Sequence, residues 1–83
     1  MTPAEALATI RARATDGTLA IQIGDPDQYL WGLGAVGGPD GLLDSLKNAT
    51  EIRGDPGGGW IVDVDGAQVI FDGDLVVTRV GIG

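Results

Sequence analysis

The chain has 83 residues, of which 43% are hydrophobic and 20% charged, and its 12 acidic against 5 basic side chains give a formal charge of −7. That length suits a single small domain, 1–83, the apolar content excludes an intrinsically disordered chain, and the lack of any Lys/Arg cluster excludes a direct grip on a phosphate backbone. With neither Cys nor His, a disulfide framework, a thiolate nucleophile, a zinc ribbon, an iron–sulfur site and imidazole acid/base chemistry are all excluded.

A helix is expected to begin at residue 3: Thr2 suits the N-cap, Pro3 the first helical position, and Glu5 completes a Thr-x-x-Glu capping box. Its apolar stripe is Ala4, Ala6, Leu7, Ile10 and Ala14. Arg11 and Arg13 suit its C-terminal end, and Asp16-Gly17 stops it. Residues 18–23 alternate, which predicts a half-buried strand with Leu19, Ile21 and Ile23 on one face. From Gly24 to Gly41, Gly, Pro and Asp crowd around Tyr29, Leu30, Trp31 and Leu33, and an ordered loop holding at most a short strand or turn is expected. Asp40 offers an N-cap for a short second helix carrying Leu42, Leu43, Leu46 and Ala49 and ending near Asn48. Residues 50–54 form a weak strand candidate, followed by a flexible turn over 55–59.

Residues 60–71 read as two strands joined at Asp65-Gly66, a dipeptide suited to the positive φ angles of a type I′ turn. A two-residue loop there pairs Val64 with Ala67, Val62 with Val69 and Trp60 with Phe71, all on one apolar face. The opposite face carries Ile61, Asp63, Gln68 and Ile70, a mixed set expected to be only partly covered. A second turn at Asp72-Gly73-Asp74 leads into residues 75–80, but two- and three-residue loops give opposite faces for Leu75 and Val77, so that register stays open. The expected fold is α+β: an N-terminal helix, a strand, a short second helix and a C-terminal antiparallel β-meander, with the helices packed on one sheet face.

Two motifs carry a possible chemistry. Gly32-Leu33-Gly34-Ala35-Val36-Gly37 matches Gly-x-Gly-x-x-Gly, yet no strand directly precedes it and Gly38-Pro39 stands where the helix should run, so it reads as a glycine-rich connection rather than a dinucleotide site. The pairs Asp25/Asp27, Asp63/Asp65 and Asp72/Asp74 resemble oxygen-ligand spacing, but a calcium loop counted from Asp63 would need glycine where Gln68 stands. Asp beside Pro or Gly is the ordinary chemistry of tight turns. Ser45 is the lone serine and sits in no nucleophile elbow. Neither a cofactor, a metal nor catalysis is expected; a carboxylate-metal enzyme, with a raised-pKa carboxylate or an oxygen-held metal, is the third and least favoured reading.

The expected function is therefore docking on another protein. Tyr29 and Trp31 are two of the four aromatics, and they serve either as interface anchors or, for Trp31, as a plug for the open end of a small sheet. The acidic surface either keeps the chain soluble or meets a basic groove that otherwise holds nucleic acid. The candidate partner-binding residues are Tyr29, Trp31, Asp25, Asp27, Asp72 and Asp74. Small phage-encoded inhibitors of host defence, among them anti-CRISPR proteins, and immunity proteins share this profile of size and charge, a likeness of type that no motif carries. The leading alternative is an assembly subunit that self-associates through its meander, as a monomer-to-oligomer equilibrium would reveal. No apolar run is long enough to span a bilayer, no signal-peptide pattern is present, and a cytoplasmic location is expected.

Overall fold

A computed structural model of the chain describes residues 1–82, the side chains of Gln28, Tyr29 and Leu30 excepted. In chain order the elements are α1 (Pro3–Asp16), a single helical turn α2 (Pro26–Gln28), a π-helical turn (Tyr29–Leu33), α3 (Gly38–Lys47), β1 (Ile52–Gly54), β2 (Trp60–Val64), β3 (Ala67–Phe71) and β4 (Val77–Ile82). The four strands form one antiparallel sheet in the order β1-β2-β3-β4. The architecture is thus the expected α+β, helices first and meander last. One buried cluster joins Ala6, Ile10 and Ala14 of α1 and Leu42 and Leu46 of α3 to Val62, Val69, Phe71 and Val80 of the sheet.

Helix α1 begins as its capping box dictates. The Thr2 N–H donates to Glu5 Oε1 at 2.9 Å and the Glu5 N–H to Thr2 Oγ1 at 3.2 Å, satisfying two of the donors that a helix start leaves orphaned. It ends at Gly17, whose φ of 79° closes the helix in the left-handed region open to glycine. Ala6, Ile10 and Ala14, spaced by four, are buried, whereas Ala4 lies outside the stripe and is exposed.

The central hairpin has the register that its turn requires. Asp65 and Gly66 both take positive φ, 46° and 80°, and Trp60 faces Phe71, Val62 faces Val69 and Val64 faces Ala67. Phe71 is 1% exposed. Trp60, at the outer end of the same row, packs on the core but stays half-buried, because its partner across β1 is Gly54, which offers no side chain to cover it.

Three segments differ from expectation. Residues 18–23 keep their alternation, with Leu19 buried and Ile21 and Ile23 packed on the core, but they join the sheet by a single parallel bridge between Ile21 and Val77. The Gln22 N–H donates to the Val77 carbonyl at 2.8 Å and the Val77 N–H to the Ala20 carbonyl at 2.9 Å. Beyond that point the chain turns away at Gly24 to start α2.

The second departure is the helical character of residues expected to be a loop. Asp25 Oδ1 accepts the Asp27 N–H at 2.9 Å and Pro26 opens α2, the same cap-then-proline start as Thr2-Pro3. Helix α3 likewise begins before Asp40, at Gly38, with Gly37 as N-cap at φ 90°. Pro39 falls in the first turn, where no backbone N–H is needed.

The third is the β3–β4 connection. The Asp72 carboxylate accepts the N–H groups of Asp74 and Val76, Leu75 adopts a φ of 62°, and β4 starts only at Val77. A bulge lets Phe71 face Val77 while Ile70 faces Arg79. Leu75 and Val77 are both buried, the side a simple three-residue loop would also give them, but the left-handed Leu75 and the bulge bring Val77 rather than Leu75 opposite Phe71 and place Arg79 opposite Ile70.

Replacing Phe71 by Ala should cost about 3–5 kcal/mol in denaturant unfolding, and Trp60→Ala clearly less, since Trp60 is already half in water. The Glu5 carboxyl is held below its usual range by the Thr2 N–H and hydroxyl, and Asp16 by the hydroxyl and N–H of Thr18. A carboxyl whose folded pKa is lowered stabilises the fold above its unfolded value, about pH 4 for these groups, and loses that contribution as pH falls through the lower folded value. The protection factors of the amides at both ends of α1, exchange rates taken relative to the unfolded chain at the same pH, should therefore fall below about pH 4, and Glu5→Gln should remove the change at the N-terminal end.

Candidate functional site

The two faces of the sheet are unequal because side chains alternate along each strand. Helices α1 and α3 cover the face of Val62, Val69 and Val80. The other face carries one row, Arg53, Ile61, Ile70 and Arg79, running across all four strands, and a second, Asp63, Gln68 and Gly81, across three. No described element packs over these rows, and Ile61, Ile70, Gln68 and Asp63 are all half-buried. Arg53 Nη1 meets Asp63 Oδ2 at 2.6 Å, so that end of the face is internally neutralised.

The outer edge of β4 is guarded. Ala20 and Gln22 occupy the backbone groups of Val77, and the π-helical turn lies against Val80: a Cβ placed on Gly32 would collide with the Val80 carbonyl oxygen. Glycine at 32 is thus what allows the turn to sit on the strand. Residues two apart project to opposite sides of a helical segment, about 200° apart in an α-helix. Leu33 accordingly points into the core at 1% exposure, and Trp31 points out at 75%. Leu33 takes the plug role, and Trp31 does not. Tyr29, the other aromatic expected here, has its side chain outside the described residues.

The structure divides the expected site. Asp25 and Asp27 are exposed at the start of α2, and Asp27 lies four residues before Trp31, on the same side of the helical segment. Asp72 and Asp74 sit in the β3–β4 connection, where Arg13 Nη1 reaches the Asp74 carbonyl at 3.5 Å. Residues 20–22 run parallel to β4 from its first residue, so the two acidic pairs belong to opposite ends of that strand. Asp27 shares the side of Trp31 and Asp25 stands at the start of the same segment, whereas Asp72 and Asp74 do not accompany them.

Much of the acidic surface has local work. Asp16, Asp25, Asp55 and Asp72 each accept the N–H two residues on, at 2.9, 2.9, 3.1 and 2.9 Å. Asp44 pairs with Lys47, and Ser45 donates its hydroxyl to Asp65. A cleft of about 360 Å³ at the β2–β3 turn is lined by Glu51, Asp63 and Asp65, but Arg53 and Ser45 engage two of these. Among the described residues no three carboxylates are grouped to hold a metal ion. The Gly32–Gly37 stretch follows a helical turn rather than a strand, without the strand–turn–helix setting that phosphate binding needs.

A second cleft, of about 400 Å³, lies where Trp31 meets the open face, bounded by Gln68, Ile70, Arg79 and Ile82. Ile82 is 69% exposed. Gly81, opposite Gln68, leaves the gap that forms it. Sequence reasoning found the mixed β2–β3 face but missed Arg79, whose side depends on the bulge between β3 and β4. Among the described residues, no helix is long and apolar enough to cross a membrane. In comparison with known proteins, no family model matches the chain, nor does any curated protein or solved structure.

Trp31→Ala should change stability by no more than about 0.5 kcal/mol, as for other surface substitutions. Gly32→Ala, one residue on, should cost about 1–3 kcal/mol because the turn must lift from β4. Paired thermal melts of the two variants check both statements.

Proposed function

We propose that this chain is a non-catalytic docking module, working in the cytoplasm, that binds a basic protein surface through Trp31 and the flanking carboxylates of Asp25 and Asp27. The observation that carries this reading is the mounting of Trp31. A large aromatic left mostly in water, on a segment held against β4 by Gly32, makes a contact already ordered before binding. Two carboxylates beside it favour a partner surface rich in Lys or Arg, whose guanidinium groups also stack well on an indole. Size and net charge favour competitive inhibition, with the acidic rim occupying a surface that its partner otherwise offers to nucleic acid.

Self-assembly is the second reading, and among the described residues the uncovered sheet face is the surface that favours it. The β4 edge is taken up at Val77 and Val80, and β1 is only three residues long, so edge pairing has little room. Stacking through the face would bury about 300 Å² per copy, from strand spacing and length, against the roughly 800 Å² per partner of a stable interface. Two chains of −7 also repel.

The test is capture of a partner on the immobilised chain at low salt. A bound protein should elute as salt rises from about 0.05 to 1 M, where the screening length falls to about 3 Å, and added DNA should compete for it. Trp31→Ala should weaken the complex by about 2 kcal/mol or more. Asp25→Asn with Asp27→Asn, which keeps the helix cap, should slow association and flatten its salt dependence. Binding that ignores salt, DNA and Trp31 alike would overturn the proposal, and a concentration-dependent mass would favour self-assembly.

A further inference from the structure

Five cations serve this chain, and the structure uses four of them internally. Arg11 Nε donates to the Lys47 carbonyl, Arg13 Nη1 to the Asp74 carbonyl, Lys47 pairs with Asp44 and Arg53 with Asp63. Arg79 has no hydrogen-bond or ion-pair partner among the described residues, although twelve carboxylates are distributed over the chain. It is exposed at the end of the Arg53-Ile61-Ile70-Arg79 row, on the wall of the cleft that Trp31 closes from the other side. The cleft therefore offers one fork of guanidinium donors, the amide of Gln68, and apolar walls from Trp31, Ile70 and Ile82.

We propose that this cleft receives a carboxylate-bearing side chain, flanked by an apolar one, from an extended segment of the docked protein, and that Arg79 is the residue that selects it. Charge complementarity names the occupant: a planar guanidinium beside apolar surface is matched by a carboxylate on an apolar neighbour. The inference rests on the docking reading above and sharpens it. The partner surface would be basic where it faces Asp25 and Asp27 and acidic at one point, opposite Arg79. Such a reversal of sign within one contact fixes orientation, because a uniformly basic surface would place a cation against Arg79. The position of Arg79 next to the Gly81 gap serves this role, since the missing side chain leaves room for the incoming one.

The test uses two blocked pentapeptides, acetyl-Lys-Leu-Asp-Leu-Lys-amide and its counterpart with Asn at the centre, titrated into the ¹⁵N-labelled chain. The expected result is saturable movement of the Arg79 Nε–H and Trp31 indole N–H signals, with the Asn peptide bound about tenfold more weakly, as for loss of a charge-assisted bond. Arg79→Gln should keep the backbone amide spectrum, since the side chain is exposed, and should make the two peptides equal. Arg79→Glu should reverse the preference in favour of a peptide with Lys at the centre. Equal affinity of the two peptides for the parent chain, absence of any binding at millimolar peptide, or discrimination that survives Arg79→Gln would each overturn the assignment. Failure of the docking reading shows separately: Asp25→Asn with Asp27→Asn would then leave the salt dependence of partner capture unchanged while Arg79 still discriminated between the peptides.

Discussion

The left-handed turn at Asp65 and Gly66 sets the side of every residue in the central hairpin, and the rest of the molecule packs against the outcome. A two-residue loop allows one register, and a period of two then sends Val62, Val64, Ala67, Val69 and Phe71 to one side. A slip by one residue would send Asp63 and Gln68 into the core and the valines to water. Helices α1 and α3, Leu33 and Leu75 all bury their apolar groups against that one face.

The described elements complete two layers, helices on one face of a single sheet. Once both helices lie on the valine face, no described segment is left for the other, and Ile61 and Ile70 remain half-covered there. The segments that might have covered it are used instead along the β4 edge, where Ala20 and Gln22 bond Val77 and Gly32 abuts Val80. That placement closes the edge to other strands and carries Trp31 to the rim of the open face. The aromatic is exposed because Leu33, on the other side of the same turn, fills the core position.

The charge distribution follows from turns more than from the site. Short elements need many reversals, and aspartate makes them by accepting the N–H two residues on, as at positions 16, 25, 55 and 72. A net charge of −7 is thus in part a by-product of tight connections. Against that background the guanidinium of Arg79, without a partner among the described residues and on the uncovered face, is the more specific feature, since no turn or cap accounts for it.

Local signals were enough for the elements whose chemistry is local. The capping box of α1, the I′ turn, the pairing from Trp60–Phe71 to Val64–Ala67 and the α+β order all follow from adjacent residues and were legible in the chain. The cap-and-proline start of α2 was present in Asp25-Pro26 as well, but the glycines after it mimic a loop. Their reason is tertiary: Gly32 is required by β4, from which it is separated by nearly fifty residues of chain. Of the residues singled out in the sequence, Trp31, Asp25 and Asp27 fall in one segment beside β4, whereas Asp72 and Asp74 lie in the β3–β4 connection. Arg79 could not be found, because its face depends on the bulge at Ile70/Phe71 and on the left-handed Leu75. Turn chemistry and periodicity act over a few residues and determine which elements form. Which face stays open, which aromatic is left in water and which cation lacks a partner depend on how the elements compete for one small core, and only the tertiary structure decides that.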